Sequence, residues 1–181
     1  MIPVRPLTII LYLIKYICVK YNYAEMTMQY DFHEAMKLEN QLCFPLYAAA
    51  RNVTGLYTPF LKPLDLTYTQ YLVMLVLWEK DGISVSAIGE KLMLDNGTLS
   101  PLLKKMEQAG YIARRRSGKD DRVVEIMLTE EGRALQEKAK DVPGHVACCI
   151  DLPPEKAQQL YILLYELLEN HKKHGSAACS R

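Results

Sequence analysis

Residues Ser84–Leu128 read SVSAIGEKLMLDNGTLSPLLKKMEQAGYIARRRSGKDDRVVEIML, and the order of patterns in this stretch decides the fold. Ser84 is suited to cap a short helix, and recurring apolar residues predict a second helix that runs to about Ala109. Two runs rich in β-forming residues follow, Tyr111–Arg116 and Val123–Leu128, and a polar hairpin tip separates them. Helix, turn, helix and hairpin in this order predict a winged helix-turn-helix.

Helical patterns continue on both sides of this unit. Apolar residues recur at helical spacing over Leu42–Leu56, which predicts one long amphipathic helix. Thr67 begins a further helix upstream of the unit, and Thr129 begins one downstream. A last helix is predicted over about Pro154–His171. The fold class is therefore mainly α (α+β).

The same patterns give the domain boundaries. The folded domain is expected over residues 37–170, with the winged helix-turn-helix at about 67–128. Residues 1–36 are expected to be an extension outside the fold, and residues 172–181 a disordered tail. Within the extension, Leu7–Val19 is mostly apolar, but a membrane span needs about 20 apolar residues. We prefer an extension to a signal peptide or a membrane anchor, so no membrane is expected.

The basic residues of the chain concentrate in the winged unit. The formal net charge is only +1, so any basic surface has to be local. The cations that fall on the second helix or the hairpin are Lys104, Lys105, Arg114, Arg115, Arg116, Lys119 and Arg122. Phosphate contacts by all of them would give binding to double-stranded DNA a log–log salt slope of about −6. The alternative is a winged helix that binds another protein, with these cations as a solvated face.

The start of the second helix is expected to read bases. Its short polar residues are Asp95, Asn96, Thr98 and Ser100, which suit base edges, thymine methyl groups and phosphates. Arg122 suits a narrow minor groove.

The cysteines and histidines indicate thiol chemistry rather than a metal site. There are five cysteines and no CxxC pair, so neither a zinc site nor a disulfide scaffold is expected. Free thiols fit a reducing compartment, which predicts a cytoplasmic location. The four histidines are scattered. We expect no metal, no cofactor and no catalytic triad.

Several strings resemble the MarR family of regulators, and within it the branch that senses organic hydroperoxides. They are AIGEKL at Ala87–Leu92, LDNGTLSPLLKKME at Leu94–Glu107, Asp120-Asp121-Arg122 in the wing, LENQLCF at Leu38–Phe44 and LTYTQY at Leu66–Tyr71. The resemblance covers about residues 37–170. It implies an obligate homodimer formed by helices at about 37–62 and 129–171. It also implies a repressor of a peroxide-resistance gene that binds a pseudo-palindromic operator.

The resemblance makes Cys43 the redox-sensing residue. Cys43, Tyr47 and Tyr57 fall on one helix face, and Tyr68 could fold back toward it. Phenol hydroxyls that donate hydrogen bonds to sulfur favour the thiolate. The resemblance assigns this role to Tyr57 and Tyr68, and Tyr47 is a weaker candidate. Alternatively, Cys43 is a small core residue and the tyrosines pack around it.

Pro45 bears on how Cys43 is activated. A proline inside a helix removes one backbone hydrogen bond and kinks or restarts the helix. One hypothesis is a helix that restarts near Phe44 and places Cys43 at its N-terminus, where the dipole favours an anion.

The two-cysteine branch of these sensors implies a resolving cysteine late in the chain. Cys148, with Cys149 as a substitute, is expected to form an intersubunit disulfide with oxidised Cys43. A mixed disulfide with a small cellular thiol is the alternative. Two other functions stay open: a repressor that responds to a small phenolic ligand and, less favoured, a thiol peroxidase. We expect a regulator, not an enzyme.

Overall fold

The computed structural model describes residue 33 and residues 36–116 and 123–174. The extension up to residue 32, the hairpin tip with Lys119 and Arg122, and the chain from residue 175 onward lie outside these ranges. The predictions made for those segments therefore lie outside the described residues.

Helices dominate the described ranges, and a small antiparallel sheet accompanies them. The helices are α1 Cys43–Gly55, α2 Thr58–Leu61, α3 Tyr68–Glu79, α4 Val85–Leu92, α5 Asn96–Gln108, α6 Glu130–Ala139, α7 Val142–Cys149 and α8 Pro154–His174. The strands are β1 Ile83–Ser84, β2 Ile112–Arg116 and β3 Val124–Leu128. Short 3-10 turns lie at Leu38–Asn40 and Lys62–Leu64. This order of elements confirms the mainly α class and the winged helix-turn-helix.

Side-chain caps begin three of these helices where the sequence predicts. Thr67 and Gln70 form a capping box at the start of α3, in which the Thr67 backbone N–H donates to Gln70 Oε1 over 2.8 Å. Ser84 caps α4 and Thr129 caps α6, each accepting a backbone N–H of the first turn. Because such N–H groups have no partner inside the helix, the caps fix where each helix starts.

The sheet has one strand more than the sequence analysis predicted. Its order is β1-β3-β2, with antiparallel pairing throughout. Arg114 of β2 and Ile83 of β1 both lie opposite Ile126 of β3. The hairpin was predicted, but β1 was not, because two residues are too few to show an alternating pattern.

One hydrophobic core holds the winged unit together. Val73 and Met74 of α3 are fully buried, as are Ile88 of α4, Leu103 of α5 and Ile126 of β3. The helix-turn-helix and its hairpin therefore pack on α3 as one body.

Pro45 lies in the first turn of α1, which begins at Cys43. A proline costs little there because first-turn N–H groups have no acceptor within the helix. The prediction that the helix starts near Phe44 is confirmed, and Cys43 is its first residue.

The region between the helices at Thr129 and Pro154 had no predicted internal bounds. The structure places α7 there, with Pro143 near its start, where a proline is favourable. Val142 and Val146, one turn apart, are 4% and 1% exposed and anchor α7 to the core. The last helix, α8, runs to His174, three residues past its predicted end.

The first and last helices leave a broad apolar surface uncovered in a single chain. The large exposed residues around α1 are Leu38, Leu42, Phe44, Tyr47 and Val53, and those of α8 are Leu160, Tyr161, Ile162, Leu163, Leu164, Tyr165, Leu167 and Leu168. Exposed apolar residues in such numbers mark an interaction site. Within the described ranges, none of the helices has the length and hydropathy needed to cross a membrane.

Close packing of α6 depends on a glycine. A Cβ atom at Gly132 would overlap the carbonyl oxygen of Tyr111. Trp78 Nε1 donates a hydrogen bond to the Gly132 carbonyl over 2.9 Å, which ties α6 to α3. The absence of a side chain at Gly132 therefore sets the distance between α6 and the winged unit.

We predict that Gly132→Ala lowers the free energy of unfolding by roughly 1–3 kcal/mol, because the backbone at Tyr111 has to move. Urea denaturation followed by circular dichroism measures this. Gly144→Ala in α7 is the matched control, since no atom lies within 4 Å of its Cβ position. The control is expected to be neutral or slightly stabilising. Equal losses in both variants would contradict the packing argument.

Candidate nucleic-acid interface and thiol site

The start of α5 is held by a cap that occupies two of the predicted base-reading residues. Asp95 Oδ1 accepts the Thr98 backbone N–H over 2.8 Å, and Asp95 Oδ2 accepts the Thr98 hydroxyl over 3.0 Å. The hydrogen bonds from Thr98 lower the pKa of the Asp95 carboxyl. Asp95 and Thr98 therefore shape the helix start, while Asn96 and Ser100 are exposed beside them.

The turn between α4 and α5 is also tightly constrained. A Cβ atom at Gly89 would lie 2.8 Å from the Leu94 carbonyl oxygen, so only glycine fits without a shift. Met93 ends α4 in the left-handed region, with φ of 55°. These constraints fix the angle at which α5 leaves the turn.

The described basic residues of the winged unit differ in their surroundings and in the charges that lie near them. Arg115 and Arg116 of β2 are exposed, and so is Lys104 of α5. Arg115 lies opposite Glu125 of β3, which offsets part of its charge. Lys105 is exposed too, but it lines a cavity with Lys62 at the end of α2. Lys104 and Arg116 are therefore the clearest candidates for phosphate contacts.

Arg114 is bound to α5. Its guanidinium Nη2 donates to the Ser100 carbonyl over 3.2 Å, and its Nε lies 3.3 Å from Glu107 Oε2. The Arg114 backbone N–H donates to the other Glu107 oxygen over 3.2 Å. Arg114 thus holds the hairpin against the helix. Glu107 was not among the predicted site residues, although its position on the second helix, before the first strand of the hairpin, was the available signal.

The tyrosines that the sequence analysis singled out form a cluster. The Tyr57 and Tyr68 rings lie 4.8 Å apart between centroids, and Tyr71 lies 5.8 Å from Tyr57. Burial and the neighbouring Tyr57 raise the pKa of Tyr68 and of Tyr71. Tyr68 and Tyr71 therefore stay protonated at neutral pH. Tyr68 therefore packs on Tyr57, just beyond the end of α1.

Cys43 lies at the start of α1, and the tyrosine cluster lies beyond its far end, where the chain continues into α2. We call this run of backbone from Cys43 through α2 the helical path. Fourteen residues separate Cys43 from Tyr57, and the backbone stays helical through Leu56 and Tyr57. At about 1.5 Å rise per residue, the separation is about 21 Å. A shared helix face therefore does not bring Tyr57 and Tyr68 to Cys43 of the same chain. Tyr47 lies one turn from Cys43 and is 63% exposed.

The late cysteines lie at the other end of the same path. Cys148 and Cys149 end α7, and both are exposed. The His145 ring, one turn earlier, stacks on Phe60 of α2 at 5.1 Å and 23°. Phe60 is about 25 Å along the helical path from Cys43. Since a disulfide needs Cα atoms about 4.4–6.8 Å apart, this placement disfavours a bond between Cys43 and Cys148 of one chain.

Comparison with known proteins identifies the family. The family model described as transcriptional regulator SarA/Rot matches residues 55–139. The organic hydroperoxide resistance transcriptional regulator of Bacillus subtilis strain 168 is 51% identical over 140 residues, which cover 77% of this chain and 95% of that protein. The chain belongs to the MarR family, in its organic hydroperoxide resistance branch. The family expected from the sequence motifs is thereby confirmed.

Solved structures similar to this regulator include two states of one protein. Reduced AbfR bound to DNA is 37% identical, with a TM-score of 0.62 over 76% of this chain and 96% of that one. Disulfide-formed AbfR is 38% identical, with a TM-score of 0.53 over 75% and 96%. The relatives are transcriptional regulators, and no catalytic family is indicated.

We predict different effects of two neighbouring arginines on DNA binding. Arg116→Ala removes an exposed cation that can contact a phosphate. The change should reduce the magnitude of the log–log salt slope of DNA binding by about 1. Arg114→Ala loosens the hairpin and should weaken binding with the slope unchanged. Gel-shift titrations at several salt concentrations, with a duplex selected from a random pool, measure both. Equal slope changes in the two variants would contradict the distinction.

Proposed function

We propose that this protein is a homodimeric, cytoplasmic repressor that releases its DNA operator when an organic hydroperoxide oxidises Cys43. The observation that carries the proposal is the separation of Cys43 from the Tyr57–Tyr68 pair. The thiol lies exposed at the start of α1, and the phenols lie paired about 21 Å away. Only a second copy of the chain can bring the phenols of Tyr57 and Tyr68 to this thiol.

The uncovered surface of α1 and α8 supports the dimer. Its apolar residues need a partner surface, and two copies related by a two-fold axis would cover each other. The proposed interface therefore matches the predicted dimerisation segments at about 37–62 and 129–171. The surface also begins next to Cys43, so Phe44 and Tyr47 would enter the interface together with the thiol.

The DNA-binding role rests on α5 and the wing. Asn96 and Ser100 are exposed for base contacts, and Lys104, Arg115 and Arg116 for phosphates. Lys119 and Arg122 keep the role that the sequence analysis proposed for the wing tip. A dimer would present two copies of α5 to successive half-sites of a pseudo-palindromic operator.

The proposed reaction starts with the Cys43 thiolate. Cys43 is the first residue of α1, next to backbone N–H groups that have no partner inside the helix. The sulfur attacks the hydroperoxide and becomes a sulfenic acid, with an alcohol leaving. The Cys148 thiol of the other subunit then forms a disulfide, and water leaves. Cys149 and a small cellular thiol are the alternative partners.

The disulfide would act on DNA binding through geometry. Cys43 begins α1, and α7 packs through Val146 into the core that also holds α5. A covalent bond between the two subunits at these points would change the spacing of the two α5 helices. The two helices would then no longer match successive half-sites of the operator.

A second candidate function rests on a cavity. An open cavity of about 660 Å³ lies between the α2–α3 junction and the end of α5, with Lys62, Tyr68 and Lys105 in its lining. Two cations and a phenol beside apolar residues suit a small phenolic or carboxylate ligand. In that case, ligand binding would release DNA without any change at Cys43. A thiol peroxidase is disfavoured, because α5 and the wing would then have no use.

We predict that cumene hydroperoxide lowers the DNA affinity of the wild-type protein at least tenfold and leaves Cys43→Ser unaffected. The reason is that serine keeps the size of the side chain but cannot form a sulfenic acid. Gel shifts with and without the oxidant measure this. Cys149→Ser is the control and should respond like the wild type. Equal release by wild type and Cys43→Ser would sink the redox mechanism, and release of both by a phenol would favour the ligand-binding alternative.

A further inference from the structure

His145 lies between the tyrosine cluster and the late cysteines. Its ring stacks on Phe60, with centroids 5.1 Å apart and ring planes 23° apart. Phe60 is one helical turn after Tyr57, so the stack places the imidazole against α2, beyond the end of α1. His145 is nevertheless exposed as a residue, and its ring is open to an approaching group.

Cys148 lies one turn after His145 on the same helix. Residues three apart on a helix are neighbours, with Cβ atoms about 5–6 Å apart. Val142 and Val146 point into the core, and Cys148 lies well around the helix from them. Cys149 instead falls on the stripe of Val142 and Val146. Both cysteines are exposed, and Cys148 lies on the side of α7 away from Val142 and Val146.

The two reacting thiols lie at different ends of their helices, one at an N-terminus and one at a C-terminus. Cys43 is the first residue of α1, while Cys148 is in the last turn of α7. A disulfide forms by attack of a thiolate, so the Cys148 thiol has to give up its proton. It then needs a base when it attacks.

We propose that His145 is the base that takes the proton of the Cys148 thiol as this sulfur attacks the oxidised Cys43 of the partner subunit. The proposal rests on the proposed function. The new bond joins the two sulfurs, and the S–O bond of the sulfenic acid breaks. The thiol proton passes through His145 to the leaving hydroxide, which departs as water. The sulfenic acid is reduced and the thiol is oxidised.

The test compares two replacements of His145 in a Cys149→Ser background. His145→Ala removes both the base and the ring, whereas His145→Phe keeps a ring on Phe60 but cannot accept a proton. At pH 7 an ordinary thiol is only a few per cent ionised. Both variants should therefore form the intersubunit disulfide about tenfold more slowly. Added imidazole should restore the rate in His145→Ala.

The readouts separate this step from the oxidation of Cys43. Dimedone trapping of the sulfenic acid, at wild-type rate in both variants, shows that the first step is intact. Wild-type disulfide formation in His145→Phe would overturn the proposal, since the stack alone would then suffice. A wild-type protein that forms no sulfenic acid would overturn the proposed function, and this step with it.

A second measurement does not depend on peroxide chemistry. In a Cys43→Ser, Cys149→Ser background, the alkylation of Cys148 by iodoacetamide is followed by peptide mass spectrometry. His145→Phe should slow this alkylation about tenfold, because the thiolate is the reacting form. An unchanged alkylation rate would overturn the role of His145 as a base. Gel shifts of the reduced variants should match the wild type and so confirm that both are folded.

Discussion

The uncovered apolar surface of α1 and α8 is the constraint on which the account depends. The winged unit satisfies its own core, with residues such as Ile88, Leu103 and Ile126 fully buried. By contrast, α8 presents leucines such as Leu163, at 62% exposure, to solvent. Leaving such a surface in water is unfavourable, because each buried leucine-sized side chain is worth about 1.5–3 kcal/mol. Pairing of two chains would relieve this cost and, in the proposed mechanism, would also assemble the thiol site.

The same interface would bring the reacting side chains together and would set the spacing of the two DNA-binding helices. The thiol of Cys43 and the phenols of Tyr57 and Tyr68 lie too far apart in one chain to interact. Cys148, at the end of α7, lies near the phenol end of that path. A dimer that brings one subunit's Cys43 to the other's phenols also brings it toward Cys148. Oxidation at this place would act directly on the contact that sets the spacing of the two α5 helices.

The sequence predicted the winged unit well because its signals are local. Ser84, Thr67 and Thr129 are caps, and each begins a helix where expected. The position of Pro45 also became interpretable from local rules, since a proline is tolerated in the first turn. Strand β1 escaped prediction because its two residues pair only once β3 is in place.

The parts that the sequence did not predict depend on tertiary contacts. Arg114 looked like any other cation of the basic run, yet it binds Ser100 and Glu107. His145 looked isolated among scattered histidines, but it stacks on Phe60, eighty-five residues earlier. Helical periodicity placed Cys43 and Tyr57 on one face, but fourteen residues of helix hold them about 21 Å apart. Contacts across the chain cannot be read from spacing alone.

Mixed dimers show whether the thiol site is assembled from two subunits. One protomer carries Cys148→Ser and a size tag, the other carries Cys43→Ser, and both carry Cys149→Ser. After treatment with an organic hydroperoxide, the mixture should show one disulfide-linked species of mixed size on a non-reducing gel, and neither variant alone should show a covalent dimer. A covalent dimer from either variant alone, or none from the mixture, would contradict a site assembled from two subunits.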